Sequence, residues 1–205
     1  MERKLTAKGE ATRGRIVAAA AGLMYERGVA GTSTEDVLAA AGVRSPSQLY
    51  HYFGDKRALV QAVIQYQTEF VLSFQKPLLS RLDSFEALEA WRDAVVERQA
   101  ARNCEGGCPI GSLAGELADR DTRARGELAE TFGQWEQAIR DGLASLQDRG
   151  ELDPAADVDE LALVLLTALQ GGLLMTQVRR DTTALHAVLT ATIDYLRGFG
   201  LMPAA

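Results

Sequence analysis

Two short helical segments on either side of a glycine place the strongest limit on the fold. The first begins with cap candidates at Thr32–Thr34 and ends at Gly42, which can turn the chain without the steric cost of a Cβ. The second begins after Ser45, with Pro46 at the first helical position and Gln48 three residues after Ser45, as in a capping box. Two short helices joined by a tight turn predict a helix-turn-helix.

The second of these helices has one apolar side and one polar side. The residues spaced to hold the two helices together are Val37, Leu38, Val43 and Leu49. The side chains left on or near the outer face are Ser47, Gln48, Tyr50 and His51. These have the size and hydrogen-bonding groups suited to base edges and phosphates in a major groove, so the segment predicts DNA binding. The alternative is a solvent-facing helical hairpin whose aromatic rings fill its own small core.

Four ring side chains stand in succession at the end of this segment, from Tyr50 to Phe53, and are followed closely by Lys56. We expect Phe53 and part of Tyr50 to close the small core, while His51 and Tyr52 face a DNA backbone. Lys56 would add a point charge at the start of the next helix, where the N-terminal amides also attract a phosphate.

Helical periodicity extends over almost the whole chain of 205 residues, which predicts an all-α protein of about nine helices without a sheet. Pro77 is expected to end the helix that begins at Lys56. Charge is uneven: residues 1–60 carry nine Lys/Arg and six Asp/Glu, whereas the remainder carries thirteen and twenty-two. A basic end on an acidic body favours a polyanionic partner for that end, although chance scatter gives the same balance.

The stretch "TSTEDVLAAAGVRSPSQLYHYFGDKRALV" resembles the DNA-binding signature of TetR-family transcriptional regulators, over roughly residues 12–64. Its most specific part is Leu49–Phe53 followed by Lys56, Ala58 and Leu59. The five residues between Val43 and Leu49 are one more than the family usually has. The resemblance implies a homodimer on palindromic double-stranded operator DNA, and a C-terminal domain whose small ligand weakens DNA binding.

The resulting assignment is a DNA-binding domain in residues 1–56 and a ligand-binding and dimerisation domain in residues 57–205. The candidate DNA-contacting residues are Thr34, Arg44, Ser45, Ser47, Gln48, Tyr50, His51, Tyr52 and Lys56.

The last two helical segments are apolar on nearly every face or on a broad stripe, so they need to be covered on all sides. Pairing with a second copy in a four-helix bundle would do this, and the alternative is that both helices are central in one chain. The predicted dimer residues are Leu165, Leu169, Leu173, Val188, Ile193 and Leu196.

Large aromatic side chains gather in the middle helices, where an apolar pocket with a few polar anchors would suit a small hydrophobic ligand. The predicted lining is Phe74, Trp91, Cys108, Phe132 and Trp135, with ordinary core packing as the alternative.

The segment "NCEGGCPIGSLAGELADRD" resembles the LmrA/YxaF-like class of TetR C-terminal domains. Cys108 precedes a helix start, where amides would lower the pKa of the thiol, so a thiol-based redox or electrophile sensor is one alternative. A buried, inert cysteine is the other.

No metal site, cofactor or catalysis is expected, because the chain has two histidines and lacks ligand or nucleophile motifs. The resemblance implies a ligand-responsive repressor, and the sequence predicts a cytoplasmic location with no membrane partner. A small helical enzyme or a plain dimerisation module are the alternatives from other classes.

Overall fold

The computed structural model describes residues 5–200, and in this range it contains nine α-helices and no strand. The all-α prediction is therefore confirmed for the described chain. The helices are α1 (Ala7–Arg27), α2 (Thr34–Ala40), α3 (Pro46–Phe53), α4 (Lys56–Leu79), α5 (Phe85–Ala100), α6 (Pro109–Leu117), α7 (Thr122–Asp148), α8 (Val158–Arg179) and α9 (Thr183–Arg197).

Side-chain caps set most of the helix starts, and one of them differs from expectation. A capping box starts α2, where the Ser33 hydroxyl accepts the Asp36 N–H at 3.1 Å and the carboxylate of Asp36 accepts the Ser33 N–H. Ser45 makes no cap bond at α3, so the predicted capping box there is wrong. Its hydroxyl lies 2.6 Å from that of Ser47 instead.

Pro77 lies inside the last turn of α4, so the prediction that it ends the helix is wrong. The helix continues to Leu79 and closes with the Ser80 N–H donating to the Lys76 carbonyl at 2.9 Å. One missing backbone hydrogen bond near a helix end leaves the rest of the ladder intact, so the helix survives it.

The smaller of two compact units comprises the residues up to Val71 together with Ser112–Leu128. Within it α1 packs on α2, and α2 packs on α3. Its fully buried apolar side chains include Ile16, Leu49 and Leu59, drawn from α1, α3 and α4. This packing buries one face of α3 and leaves the opposite face in solvent.

The larger unit comprises Leu72–Gly111 and the residues from Ala129 onward. Its main packing is α9 against both α8 and α5. A Cβ at Gly172 of α8 would lie 2.7 Å from the Leu185 Cδ1 of α9, so the two helices approach to a distance that only glycine allows. Trp91 is fully buried, and its indole N–H donates to the Gln75 Oε1 at 2.7 Å.

Helix α8 contains an apolar stretch of 18 residues, so by length and composition alone it could cross a bilayer. The core helix of a soluble protein can have the same length and composition, and 44% of this apolar stretch is buried within the chain.

Gly142 provides a test of the packing between α7 and the segment after α4. A Cβ at this position would lie 2.4 Å from the Leu82 Cβ, whereas a Cβ at Gly133 of the same helix would meet nothing within 4 Å. We expect Gly142→Ala to lower the free energy of unfolding by about 1–3 kcal/mol through overpacking. Gly133→Ala should raise it by about 0.5–1 kcal/mol. Urea unfolding measures both, and equal effects would contradict the close approach.

Candidate nucleic-acid interface

The outer face of α3 carries exposed hydrogen-bonding side chains that the sequence predicted to read DNA. Leu49 is fully buried on the inner face, and Val37, Leu38 and Val43 are buried with it, as the sequence predicted. Ser47, Gln48 and His51 are exposed on the other face. A short helix with an anchored inner face and a polar outer face can enter a major groove without rearranging.

The aromatic run divides between the core and the solvent. Phe53 is buried, and the Arg13 guanidinium lies 5.2 Å from its ring centroid. Tyr50 is 55% exposed, so most of this residue faces solvent and only part of it can pack on the core. His51 and Tyr52 form an edge-on pair with centroids 5.3 Å apart, which orients both rings at the outer edge of α3.

Lys56 does not present a free ammonium group. Its Nζ donates to the carbonyl oxygens of Val29 at 2.9 Å and of Thr32 at 2.6 Å. The prediction that Lys56 is a simple point charge for phosphate therefore needs correction, since two of its three donors hold the turn between α1 and α2. Contact of the remaining donor with DNA stays a prediction.

The remaining predicted contacts lie at the edges of α2 and α3. Arg44 is exposed in the turn between the two helices, and Ser45 is half-buried beside Ser47. Thr34 is half-buried at the first position of α2, and its hydroxyl donates to the Glu35 carboxylate at 3.1 Å. All of these residues lie in the smaller unit with α3.

Sequence reasoning missed the long-range contacts of the smaller unit, those of the α1–α2 turn among them. Glu116 of α6 accepts the backbone N–H groups of Val29 and Ala30, both at 2.7 Å. Arg57 pairs with Asp121 at 3.3 Å. No local pattern marks such contacts, because their partners are more than sixty residues apart in the chain.

The residues predicted to line a ligand pocket lie in the larger unit in varied settings. Trp91, Trp135 and Cys108 are buried, whereas Phe74 and Phe132 are half-buried. The guanidinium of Arg98 covers the ring of Phe74 at 4.1 Å.

Two open cavities in the same unit, of about 510 and 600 Å³, have other linings. They share Lys76 and Ala138 and lie between α4 and α7.

The predicted lowering of the Cys108 pKa is wrong. Burial raises the pKa of this thiol, and the Gly111 and Ile110 amides, which lower it, offset that effect only in part. The Gly111 N–H donates to Sγ at 3.4 Å. Because the thiolate is the reactive form, a raised pKa makes Cys108 a poor sensor of oxidants or electrophiles.

The predicted dimer residues also need correction. Leu165, Leu169, Leu173, Ile193 and Leu196 are buried inside the single chain, and Val188 is half-buried. They form the inward faces of α8 and α9, so they are not available to a second copy. The large apolar side chains exposed on these two helices are instead Leu163, Leu174, Met175, Val178 and Tyr195.

Comparison with known proteins finds family models that match two separate parts of the chain. Residues 16–63 match the model of bacterial regulatory proteins of the tetR family, and residues 84–192 match a tetracyclin repressor-like C-terminal domain. The chain belongs to the TetR family. It is accordingly a transcriptional regulator with an N-terminal helix-turn-helix.

The relatives of this regulator span nearly its whole length. An uncharacterized HTH-type transcriptional regulator of Mycobacterium tuberculosis is 30% identical over 187 residues, which cover 86% of this chain and 89% of the relative. The HTH-type transcriptional repressor DhaR of a Mycobacterium species is 28% identical, over 85% of this chain and 86% of its own length. The crystal structure of a TetR transcriptional regulator from Chloroflexus aurantiacus superposes with a TM-score of 0.79 at 29% identity, covering 95% and 98% of the two chains.

The outer face of α3 gives a prediction about sequence reading by this regulator. Gln48→Ala should weaken binding to a specific duplex by roughly 1–3 kcal/mol while leaving binding to random DNA unchanged, since an amide reads a base edge. Tyr52→Ala should weaken both equally, because a phosphate contact carries no sequence information. Fluorescence anisotropy at one fixed salt concentration measures both, and equal losses for Gln48→Ala would show that it reads no base.

Proposed function

We propose that this regulator is a homodimeric repressor that leaves a palindromic operator when an uncharged small molecule enters its larger unit. The observation that carries the DNA-binding part is α3, whose inner face is buried while Gln48, Tyr50 and His51 are exposed. Residues 1–56 serve DNA and residues 57–205 serve the ligand and the second copy. The protein acts in the cytoplasm, without catalysis. The LmrA/YxaF-like assignment rests on the segment around Cys108 alone.

The exposed apolar face of α8 supports the homodimer. Leu163, Leu174 and Val178 are 51%, 59% and 69% exposed, and they recur at a spacing that places them on one side of the helix. Tyr195 of α9 adds a ring that is 48% exposed and packs edge-on against Phe199. A large apolar patch of this kind marks an interface, and the same patch on a second copy is its natural partner in a two-fold dimer.

A two-fold dimer also explains how a short helix such as α3 reaches useful affinity. Two copies can place their reading helices one DNA turn apart, about 34–36 Å, on two half-sites of a palindrome. A single α3, eight residues long, has few side chains with which to contact bases. The dimer therefore doubles the contacts and sets the spacing that the operator must match.

Three buried polar atoms in the larger unit support the proposal of a small-molecule ligand. The Gln99 Oε1, the Trp135 Nε1 and the Thr176 Oγ1 have no hydrogen-bond partner among the residues described. Gln99 is 6% exposed, and the other two residues are 1% and 0% exposed. Leaving such a group unpaired costs about 1–3 kcal/mol, so a ligand that pairs with these atoms would gain affinity.

The buried groups also limit the chemistry of that ligand. Among the described residues of the larger unit, the buried polar side chains are neutral: Gln75, Gln99, Thr131, Thr176 and Thr192. A charged ligand would enter an apolar interior without a counter-charge, which is costly. The preferred ligand is therefore a neutral, largely apolar molecule that carries a hydrogen-bond acceptor for Trp135 and a donor for Gln99.

Val178→Glu tests the dimer. We expect this substitution, or Leu174→Glu, to give a monomer at micromolar concentration, because it places two like charges across a two-fold apolar seam. Ala129→Glu on the exposed side of α7 adds the same charge elsewhere and should leave the dimer intact. Sedimentation velocity distinguishes the two species. A dimer that persists in both α8 variants would exclude this face as the interface.

Trp135→Phe tests the ligand site, because it removes the unpaired N–H and keeps a ring. In a thermal-shift screen of neutral carbonyl and hydroxyl compounds, compounds that stabilise the wild-type protein and release it from DNA should lose about tenfold in affinity for this variant. DNA binding without compound should be unchanged. Trp91→Phe is the control, since it removes an N–H already paired with Gln75 and should lower stability instead. Undiminished responses in Trp135→Phe would contradict the site.

A further inference from the structure

The turn between α1 and α2 is held by a carboxylate from a distant helix. Its backbone amides at Val29 and Ala30 both donate to Glu116 of α6, at 2.7 Å to Oε2 and 2.7 Å to Oε1. Each carboxylate oxygen thus takes one amide, in a bidentate arrangement that fixes the direction of the turn as well as its position. Hydrogen bonds to an ionised acceptor are shorter and stronger than those between neutral groups.

The carbonyl groups of the same turn are held by the opposite charge. Lys56, the first residue of α4, donates to the carbonyls of Val29 and Thr32. Val29 is therefore bound at its amide by an anion and at its carbonyl by a cation. The hydroxyl of Thr32, a residue that is 1% exposed, closes the turn by donating to the Gly28 carbonyl at 2.8 Å.

Two glycines make room for this arrangement. Gly28 has a φ of +75°, and a Cβ there would lie 3.0 Å from the Glu116 Oε2. At Gly31 a Cβ would lie 2.3 Å from the Arg27 carbonyl oxygen, which requires a glycine for the chain to double back. The turn is thus built around the carboxylate and does not merely lie near it.

We propose that Glu116 is a positioning residue for DNA reading, which acts through the α1–α2 turn and never touches DNA. The turn leads directly into the capping box at Ser33 that starts α2, and α2 packs on the reading helix α3. The carboxylate and Lys56 together set the angle at which α2 leaves α1 and α4. That angle fixes where Gln48 and His51 point. The inference rests on DNA binding by α3 and is independent of the ligand and of the dimer face.

Positioning and direct contact make different predictions. A residue that contacts phosphate changes affinity for every sequence and alters the salt dependence of binding. A residue that aims the reading helix changes affinity only for the sequence that the helix reads, because backbone contacts tolerate small rotations while bidentate base contacts do not. Loss of discrimination with unchanged non-specific binding is therefore the signature of Glu116.

The test compares Glu116→Gln with Glu69→Gln, which makes the same change of charge at an exposed position of α4. The probes are a duplex enriched from a random library by the wild-type protein and a scrambled duplex of equal composition. We expect Glu116→Gln to lose about tenfold on the enriched duplex and less than twofold on the scrambled one. The slope of affinity against salt should not change. Hydrogen exchange at the Val29 and Ala30 amides should speed up, and Glu69→Gln should match the wild type throughout.

Affinities are measured at a temperature where circular dichroism shows every variant folded. Equal losses of Glu116→Gln on both duplexes, or no loss on either, would overturn the positioning role. A second variant, Glu116→Asp, keeps the charge but is one methylene too short to reach both amides, and should also lose discrimination. If Glu116→Asp discriminates between the two duplexes as well as the wild-type protein does, charge alone matters and the geometric argument is overturned. If the wild-type protein enriches no duplex, DNA reading by α3 fails, and the positioning role fails with it.

Discussion

The larger unit depends on the close approach of α8 and α9 at Gly172. Because the Cα of Leu185 would lie only 3.0 Å from a Cβ at that position, the two helices pack at a distance that larger side chains would prevent. Their inward leucines and Ile193 are then fully buried, and α5 closes the remaining side of α9. Helix α8 is apolar on nearly every side, so one apolar face remains exposed after another has packed against α9. The exposed side chains at Leu174 and Val178 are the direct consequence.

The smaller unit could be predicted well from the sequence because its signals are local. Gly42 has a φ of +66°, as a tight turn requires, and Leu49 is buried where the spacing placed it. Cap residues such as Ser33 mark a helix start within three or four positions, so no distant information is needed. Even the exception at Ser45 is local, since its hydroxyl pairs with that of Ser47, two residues further along the chain.

The faces of α8 could not be predicted, because an all-round apolar helix carries no polar marker to show which side turns inward. Leu165 and Leu174 are equally apolar in the sequence, yet one is fully buried and the other is 59% exposed. The choice is made by Gly172, whose role depends on a neighbour in another helix. The prediction of a lowered Cys108 pKa was wrong for a related reason. The sequence showed that Cys108 precedes a helix, but the burial that outweighs the helix amides comes from the packing of the larger unit.

The α1–α2 turn is held by charged side chains that are distant in the chain and not by local caps. Five residues separate Gly28 from Thr34, too few for a side chain within the turn to satisfy its amides and carbonyls at once. Water could satisfy them, but hydrated groups would leave the turn free to rotate. Glu116 instead binds the amide of Val29 and Lys56 binds its carbonyl, so the two charged groups together restrain rotation of the turn. The geometry of the reading helix then depends on two charged side chains that lie behind it, at 87 and 27 residues from Val29 in the chain.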